Sequence, residues 1–230
     1  SPKTGEETER PFSENGPASA FVWKTIADPF AGRITLFRVM SGVLKADSTI
    51  YNKTRDTAER LGHVVLLQGK TQTNVPELRA GDLGAVPKLK DTLTNDTLGD
   101  KSDPAVFPAM KFPEPVLSYA IEPKTRGDED KISTSMHRLE EEDPSISYSR
   151  DPQTKELLLS GQGQLHIEVT VAKLKRRFGV DVNLKPPRIP YRETIKAYPS
   201  AGGAYLVTRD NFGIVPAQVA GAALLVGYIL

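Results

Sequence analysis

A short apolar run that ends at a pair of glycines restricts the fold of this chain more than any other feature. Residues 155–182 read KELLLSGQGQLHIEVTVAKLKRRFGVDV, and the spacing of apolar residues changes from strand-like to helix-like after Gly161-Gln162-Gly163. Gly179 is suited to end the helix, since glycine accepts the left-handed conformation common there. The segment therefore predicts a strand, a glycine turn, an amphipathic helix and a second strand.

Two sets of apolar residues predict the buried face of this helix. Leu165, Val169 and Ala172 recur at spacings of four and three. A second set widens the same stripe: Ile167, Val171, Leu174 and Phe178. We expect both sets to pack against the sheet.

The upstream sequence completes a mixed domain. A predicted strand at 116–121 is followed by a helix that begins at the acidic residues 128–130 and buries Ile132, Met136 and Leu139. A further strand follows near residues 146–148. The order β-α-β-β-α-β predicts a ferredoxin-like split βαβ domain over residues 112–195.

The first part of the chain has a different pattern. Residues 20–108 contain short apolar runs at 21–23, 34–39, 49–51, 60–67 and 83–89, with turn residues between them and no helical pattern before Asp128. This pattern predicts a small closed all-β barrel. Residues 1–19 are polar and read as a linker, and a proline-rich stretch near residues 104–115 separates the two domains.

Composition excludes several classes of site. The 230 residues carry a net charge of +1 and no cysteine, so disulfides and thiolate chemistry are absent, and nucleic-acid binding has to come from local patches. The chain has no G-x-x-x-x-G-K-S/T phosphate loop, so we expect no nucleotide hydrolysis and no bound cofactor. The three histidines lack ligand spacing, and we expect no metal site. The acidic run 140–143 reads as a solvated helix end.

Basic residues form the candidate contact sites. On the predicted helix they can meet phosphate, protein carboxylates or only the negative end of the helix dipole. The candidates for contact with a nucleic-acid backbone or with another domain are Arg33, Arg38, Lys45, Lys173, Lys175, Arg176 and Arg177. Gly161 and Gly163 are predicted structural turn residues that allow a tight turn and close packing of helix on sheet, in preference to an anion site.

Residues 196–230 change character again, being rich in Ala, Gly and Val. The last 17 residues, IVPAQVAGAALLVGYIL, are at the lower limit for crossing a bilayer and are interrupted by Pro216 and Gln218. We expect no membrane span. The segment reads as an incomplete part of a further domain or as residues foreign to the parent sequence.

Long ordered motifs in both domains resemble one family. DPFAGRITLFRVMSGVLKADSTIYN, RLGHVVLLQG and VPELRAGDLGAVPKLKDTLTNDTLGD resemble the second domain of elongation factor G, the ribosomal translocase. FPEPVLSYAIEPK and LLLSGQGQLHIEVTVAKLKRRFGVDVNLKPPRIPYRETI resemble its third domain. Together these motifs extend to about residue 195, and the first residues resemble the segment that leads out of the family's GTP-binding domain.

The resemblance implies a fragment of a translational GTPase in which the barrel docks on small-subunit ribosomal RNA and ribosomal protein. It also makes the seven basic residues listed above candidate contacts with ribosomal RNA or the ribosome. The third domain then relays nucleotide state to the part that moves tRNA and mRNA. GTP and Mg belong to the missing GTP-binding domain of the parent, which would be a partner in cis. The resemblance also implies a cytoplasmic monomer that is not an enzyme by itself.

One motif departs from the family pattern. The glycine turn usually reads Gly-Met-Gly-Glu-Leu-His, whereas this chain has Gly161-Gln162-Gly163-Gln164-Leu165-His166. The departure leaves open a paralogous subtype with altered coupling. Beside an elongation factor G fragment, two other hypotheses stay open: a ribosomal protection factor or other translocase-like GTPase, and a free-standing RNA- or ribosome-binding module. A membrane-tethered protein is a fourth, which depends only on the last 17 residues.

Overall fold

The computed structural model describes residues 12–29, 32–69, 71–125 and 127–188. Ten strands make up the first domain, and no helix precedes Glu129 among these residues. The strands are β1 (Ser19–Asp28), β2 (Gly32–Ser41), β3 (Val43–Lys45), β4 (Ser48–Asn52), β5 (Thr57–Leu61), β6 (Val64–Gln68), β7 (Thr71–Val75), β8 (Glu77–Arg79), β9 (Leu83–Pro87) and β10 (Thr97–Gly99).

Eight of these strands form one antiparallel sheet in the order β5-β4-β10-β1-β2-β9-β6-β7, and β3 pairs with β8 in a separate ribbon. The sheet curls as a half-barrel around a core that includes Val22, Phe37, Val39, Leu61 and Leu98, all fully buried. The predicted all-β barrel domain is confirmed, but within the described residues the curled sheet keeps two edges and is not the closed barrel expected. Within the described residues, β5 and β7 are the two edges of the main sheet.

The apolar run at residues 60–67 is divided between two strands. The chain turns at Gly62-His63 and forms two strands, β5 and β6, which lie toward opposite ends of the sheet. Tertiary pairing explains the break, because β5 pairs with β4 whereas β6 pairs with β7 and β9. A continuous strand cannot bond to both regions of a curled sheet.

The second domain has the predicted ferredoxin-like order. Its sheet runs β12-β13-β11-β14, entirely antiparallel, with two helices packed on one face. The elements are β11 (Leu117–Pro123), α1 (Glu129–Glu142), β12 (Ser147–Arg150), β13 (Leu157–Gly161), α2 (Gln164–Phe178) and β14 (Val182–Lys185). Helix α2 ends at Gly179, whose φ of 69° is left-handed and whose N–H donates to the carbonyl of Lys175.

The expected buried face of α2 is only half right. Ile167 and Leu174 are fully buried, and Val171 and Phe178 pack against them. By contrast, Leu165 is 73% exposed, and Val169 and Ala172 are exposed as well. The two sets are offset by two residues, which is about 200° around a helix, so they lie on opposite faces. Only the set containing Ile167 and Leu174 faces the sheet.

The glycine turn works through close approach and not through unusual dihedral angles. A Cβ atom on Gly161 would lie 3.2 Å from both Nδ1 of His166 and Cγ1 of Ile167. Gly163 has an extended φ of 167°, which any residue adopts, and a Cβ there would meet nothing within 4 Å. The expected need for glycine is therefore met at Gly161, where helix and sheet approach closely, and not at Gly163.

The predicted tail, residues 196–230, and most of the predicted N-terminal linker lie outside the described residues. Between Gly99 and Leu117 the described chain has no regular secondary structure, in agreement with its four prolines. Neither α1 nor α2 has the length and apolar character needed to cross a membrane, and these are the helices of the described ranges.

Candidate functional site: a carboxylate junction between the two domains

The carboxyl end of α1 lies against strand β1 of the first domain. Ile132, Met136 and Leu139 fix α1 on its own sheet, and Glu142 continues the same side of the helix three residues later. Glu142 consequently lies at the edge of the second core, where β1 passes. Only 7% of this residue is exposed, so the expectation of a solvated acidic helix end is wrong at this position.

The Glu142 carboxylate joins three elements. Oε2 accepts the backbone N–H of Ala27 in β1 at 3.0 Å and a hydrogen bond from Nη1 of Arg177 in α2 at 2.5 Å. Oε1 accepts from Nζ of Lys173, also in α2, at 3.0 Å. Arg177 in addition donates to the carbonyl of Ala27 at 3.2 Å. We call Ala27, Glu142, Lys173 and Arg177 the carboxylate junction.

The junction holds Glu142 in its ionised form. Burial alone would raise the pKa of Glu142 because it disfavours charge. The hydrogen bonds from Arg177, from the N–H of Ala27 and from Lys173 outweigh burial, and the pKa lies below its ordinary value. The carboxylate is therefore a fixed negative charge at neutral pH, with two cations and one amide directed at it.

A second row of contacts runs beside the junction. The Thr25 hydroxyl donates to the carbonyl of Glu141 at 3.0 Å and lies 2.7 Å from the hydroxyl of Thr94. Arg33 pairs with both carboxylate oxygens of Glu141, at 2.6 Å and 3.2 Å. It also donates to the carbonyl of Lys90 at 2.6 Å. The barrel and the second domain are thus connected by ionic and neutral hydrogen bonds together.

The glycine turn is linked to the end of α1 by a histidine. Nδ1 of His166 accepts the N–H of Gln162, so Nε2 carries the proton that is directed at Oδ2 of Asp143, 3.1 Å away. Burial would raise the pKa of Asp143, but hydrogen bonds from Ser145 and His166 keep the pKa below its ordinary value. His166 is thus hydrogen-bonded through both ring nitrogens, and it joins the glycine turn to the end of α1.

Gln162, one of the residues that departs from the family pattern, makes contacts of its own. Its amide nitrogen donates to the carbonyl of Pro113 at 3.1 Å and to the carbonyl of Glu114 at 2.8 Å. Residues 113 and 114 belong to the segment that connects the two domains. The glutamine therefore fastens this connection to the glycine turn.

The predicted basic residues separate into two groups. Arg33 and Arg177 make contacts between the domains, whereas Lys173 joins α2 to Glu142 of α1 within the second domain. Lys175 pairs with Asp181 inside the second domain at 2.8 Å. Arg38, Lys45 and Arg176 are exposed and have no side-chain ion pair among the described residues. Contact of any of the seven with the ribosome stays a prediction.

The sequence reasoning missed Glu142, Ala27 and Thr25. Glu142 had a detectable signal, because it follows Leu139 at the spacing that already links Ile132, Met136 and Leu139. Ala27 and Thr25 had none, since their roles depend on backbone and hydroxyl groups brought close by tertiary packing. Within the described ranges no group of three His, Asp or Glu side chains is arranged to hold a metal ion.

Comparison with known proteins agrees with this architecture. Residues 17–101 match the family model for elongation factor G domain 2, and residues 112–186 match the model for elongation factor G domain III. A crystal structure of a protein from Thermus thermophilus is similar at a TM-score of 0.69 and 33% identity. The similarity covers 76% of this chain but only 26% of the Thermus protein.

The fold and the family models together define the class of this protein. It is a pair of adjacent domains, a curled β-barrel and a ferredoxin-like domain, from a translational GTPase. The two family models together account for more than half of the chain and agree with the fold in both parts. The chain belongs to the elongation factor G family and carries its second and third domains.

Proposed function

We propose that this chain is the ribosome-docking and relay portion of a cytoplasmic ribosomal translocase. In this proposal the barrel contacts small-subunit ribosomal RNA and protein. The ferredoxin-like domain transmits the state of a GTP-binding domain in the intact parent to the part that moves tRNA and mRNA. The chain alone binds no GTP or Mg and hydrolyses no nucleotide, and it acts as a monomer.

The observation that carries the relay role is the carboxylate junction. Because Glu142 of α1 bonds to both β1 and α2, a displacement of either helix is transmitted directly to the barrel strand. Leu165 and Val169 supply a second contact surface, since exposed apolar residues on one helix face suit docking of another domain. A relay domain needs one contact that is fixed, which is the carboxylate junction, and one surface that is free to contact another domain, which is the face with Leu165 and Val169.

Docking is tested by co-sedimentation of the 230-residue chain with separated ribosomal subunits over a salt series, beside a GTP-hydrolysis assay. We expect binding to the small subunit that weakens with salt, and no hydrolysis. Replacing Arg38 or Lys45 with Ala is expected to reduce the slope of log affinity against log salt by about 1 if that residue contacts phosphate. Arg60→Ala, an exposed arginine on β5, is the matched control. Absence of small-subunit binding at low salt would contradict the docking role.

The relay is tested separately in the intact parent. Glu142→Gln there is expected to retain ribosome-stimulated GTP hydrolysis but to slow movement of mRNA on pre-translocation ribosomes. Glu129→Gln serves as the control, because Glu129 is exposed in the first turn of the same helix, at the end opposite to the junction. Equal loss of hydrolysis and movement would argue for a general folding defect instead.

Gln162 favours a second candidate, a ribosomal protection factor or another translocase-like GTPase with altered coupling. Its bonds to residues 113 and 114 add a connection that a methionine cannot make. The same movement assay distinguishes the candidates, because advance of the mRNA is the activity expected of a translocase.

A further inference from the structure

A cleft opens beside the carboxylate junction, between the barrel and α1. It has a volume of about 250 Å³, and Arg33 and Lys90 of the barrel line it opposite Arg138, Glu141 and Glu142 of α1. This volume is below the range of roughly 300–1,000 Å³ that is typical of sites for drug-sized ligands. The cleft is therefore suited to a small group.

The charges in the cleft do not cancel. Glu141 is neutralised by Arg33, and Glu142 by Lys173 and Arg177, which approach it from α2. Lys90 and Arg138 have exposed side chains, and neither has an ion pair among the described residues. Two cations are thus left without a counter-charge, one on each domain.

Both cations are carried by well-fixed backbone. The N–H of Lys90 donates to the carboxylate of Glu59, which is 4% exposed and also accepts the N–H groups of Asp91 and Thr92. On the other side, Arg138 lies between Met136 and Leu139, which anchor α1 in its core. The side chains of Lys90 and Arg138 therefore project from well-anchored elements on opposite sides of the cleft.

We propose that this cleft binds a phosphate group, which bridges Lys90 of the barrel and Arg138 of α1. Arginine offers a planar fork of donors that matches phosphate oxygens, and lysine adds a point charge. The carboxyl end of α1 also lines the cleft and carries negative partial charge, so the attraction has to come from these two side chains. Occupation of the cleft ties the two domains together beside the carboxylate junction.

Inorganic phosphate is the first probe. Thermal unfolding and ³¹P line broadening are measured with the 230-residue chain as phosphate replaces chloride at constant ionic strength. We expect phosphate to raise the melting temperature, and the variant carrying both Lys90→Ala and Arg138→Ala to bind it at least about tenfold more weakly. Lys111→Ala with Arg60→Ala, which removes two exposed cations elsewhere, is expected to bind phosphate as the unmodified chain does. No phosphate response, or the same response in both double variants, would overturn the proposal.

A short single-stranded RNA distinguishes two sources of the phosphate group. Displacement of bound inorganic phosphate by the RNA assigns the cleft to a phosphodiester of an RNA backbone. Phosphate binding that the RNA does not displace assigns it to a free phosphate or a phosphorylated small molecule. The inference is independent of ribosome docking: a Lys90→Ala, Arg138→Ala variant that loses phosphate binding but still sediments with ribosomes supports the cleft and leaves the docking role intact.

Discussion

Nη1 of Arg177 lies 2.5 Å from Oε2 of Glu142, and the same carboxylate oxygen accepts the backbone N–H of Ala27. One oxygen atom therefore links α2, α1 and the first strand of the barrel. The two domains are in direct contact, because hydrogen bonds to one buried carboxylate hold α1 and α2 against strand β1. This arrangement and the glycine turn beside it lead to four predictions.

Replacing Glu142 with Gln leaves Lys173 and Arg177 without a carboxylate. Breaking a buried ion pair costs roughly 3–5 kcal/mol, and because both cations keep some solvent contact we expect a loss of about 2 kcal/mol. Trp23, the only tryptophan, lines a small cavity with Glu142, so its fluorescence reports on the junction during unfolding in urea. Glu141→Gln is the control and is expected to cost at most about 1 kcal/mol. Equal effects of the two substitutions would show that the junction is not a special contact.

Acid should weaken the junction before the rest of the fold. The pKa of Glu142 in the folded chain is lower than its ordinary value of 4.5, so its ionisation stabilises the fold above that pH. This stabilisation is lost as pH falls from 4.5 through the depressed folded pKa. We expect the melting temperature to drop in this window, and the Glu142→Gln chain to show a smaller drop. A residual slope is expected from Asp143, whose pKa is lowered too. Identical pH profiles would contradict the assignment.

The two glycines of the turn should respond differently to alanine. Gly161→Ala places a Cβ 3.2 Å from His166 and Ile167, which are held by hydrogen bonds and by the core, so we expect a loss of about 1–2 kcal/mol. Gly163→Ala meets open space at an extended φ, and we expect a change of less than about 0.5 kcal/mol. Melting temperatures of the two variants decide the matter. A more harmful substitution at Gly163 would reverse our account of the turn.

Gln162→Met restores the residue usual in the family and removes the donor to Pro113 and Glu114. Because this amide is partly exposed, we expect a loss of about 0.5–1 kcal/mol. Hydrogen exchange should quicken at the nearby amide of Val116, which donates to the carbonyl of Gly161. Gln164→Glu, the other change toward the family pattern, lies outside these bonds and is not expected to alter that exchange. Unchanged exchange at Val116 in the Gln162→Met chain would mean that the glutamine does not fasten the connecting segment.

Local sequence signals were sufficient to predict the two domains, their order and the element types of the second one. Apolar spacing, the glycine turn and the prolines act over a few residues, so they are readable without knowledge of the fold. The same local signals were insufficient for α2. Leu165 with Val169 and Ile167 with Leu174 are both valid apolar stripes, and only contact with the sheet selected the second pair.

Tertiary structure alone decided the carboxylate junction. The acidic run 140–143 reads as solvated because nothing in its local sequence supplies counter-charges, and the partners of Glu142 come from 115 residues upstream and 31 and 35 residues downstream. Burying a carboxylate is unfavourable unless cations and amides surround it. Whether they do depends on where three separate elements are placed, and that placement follows from packing of the two cores rather than from any motif.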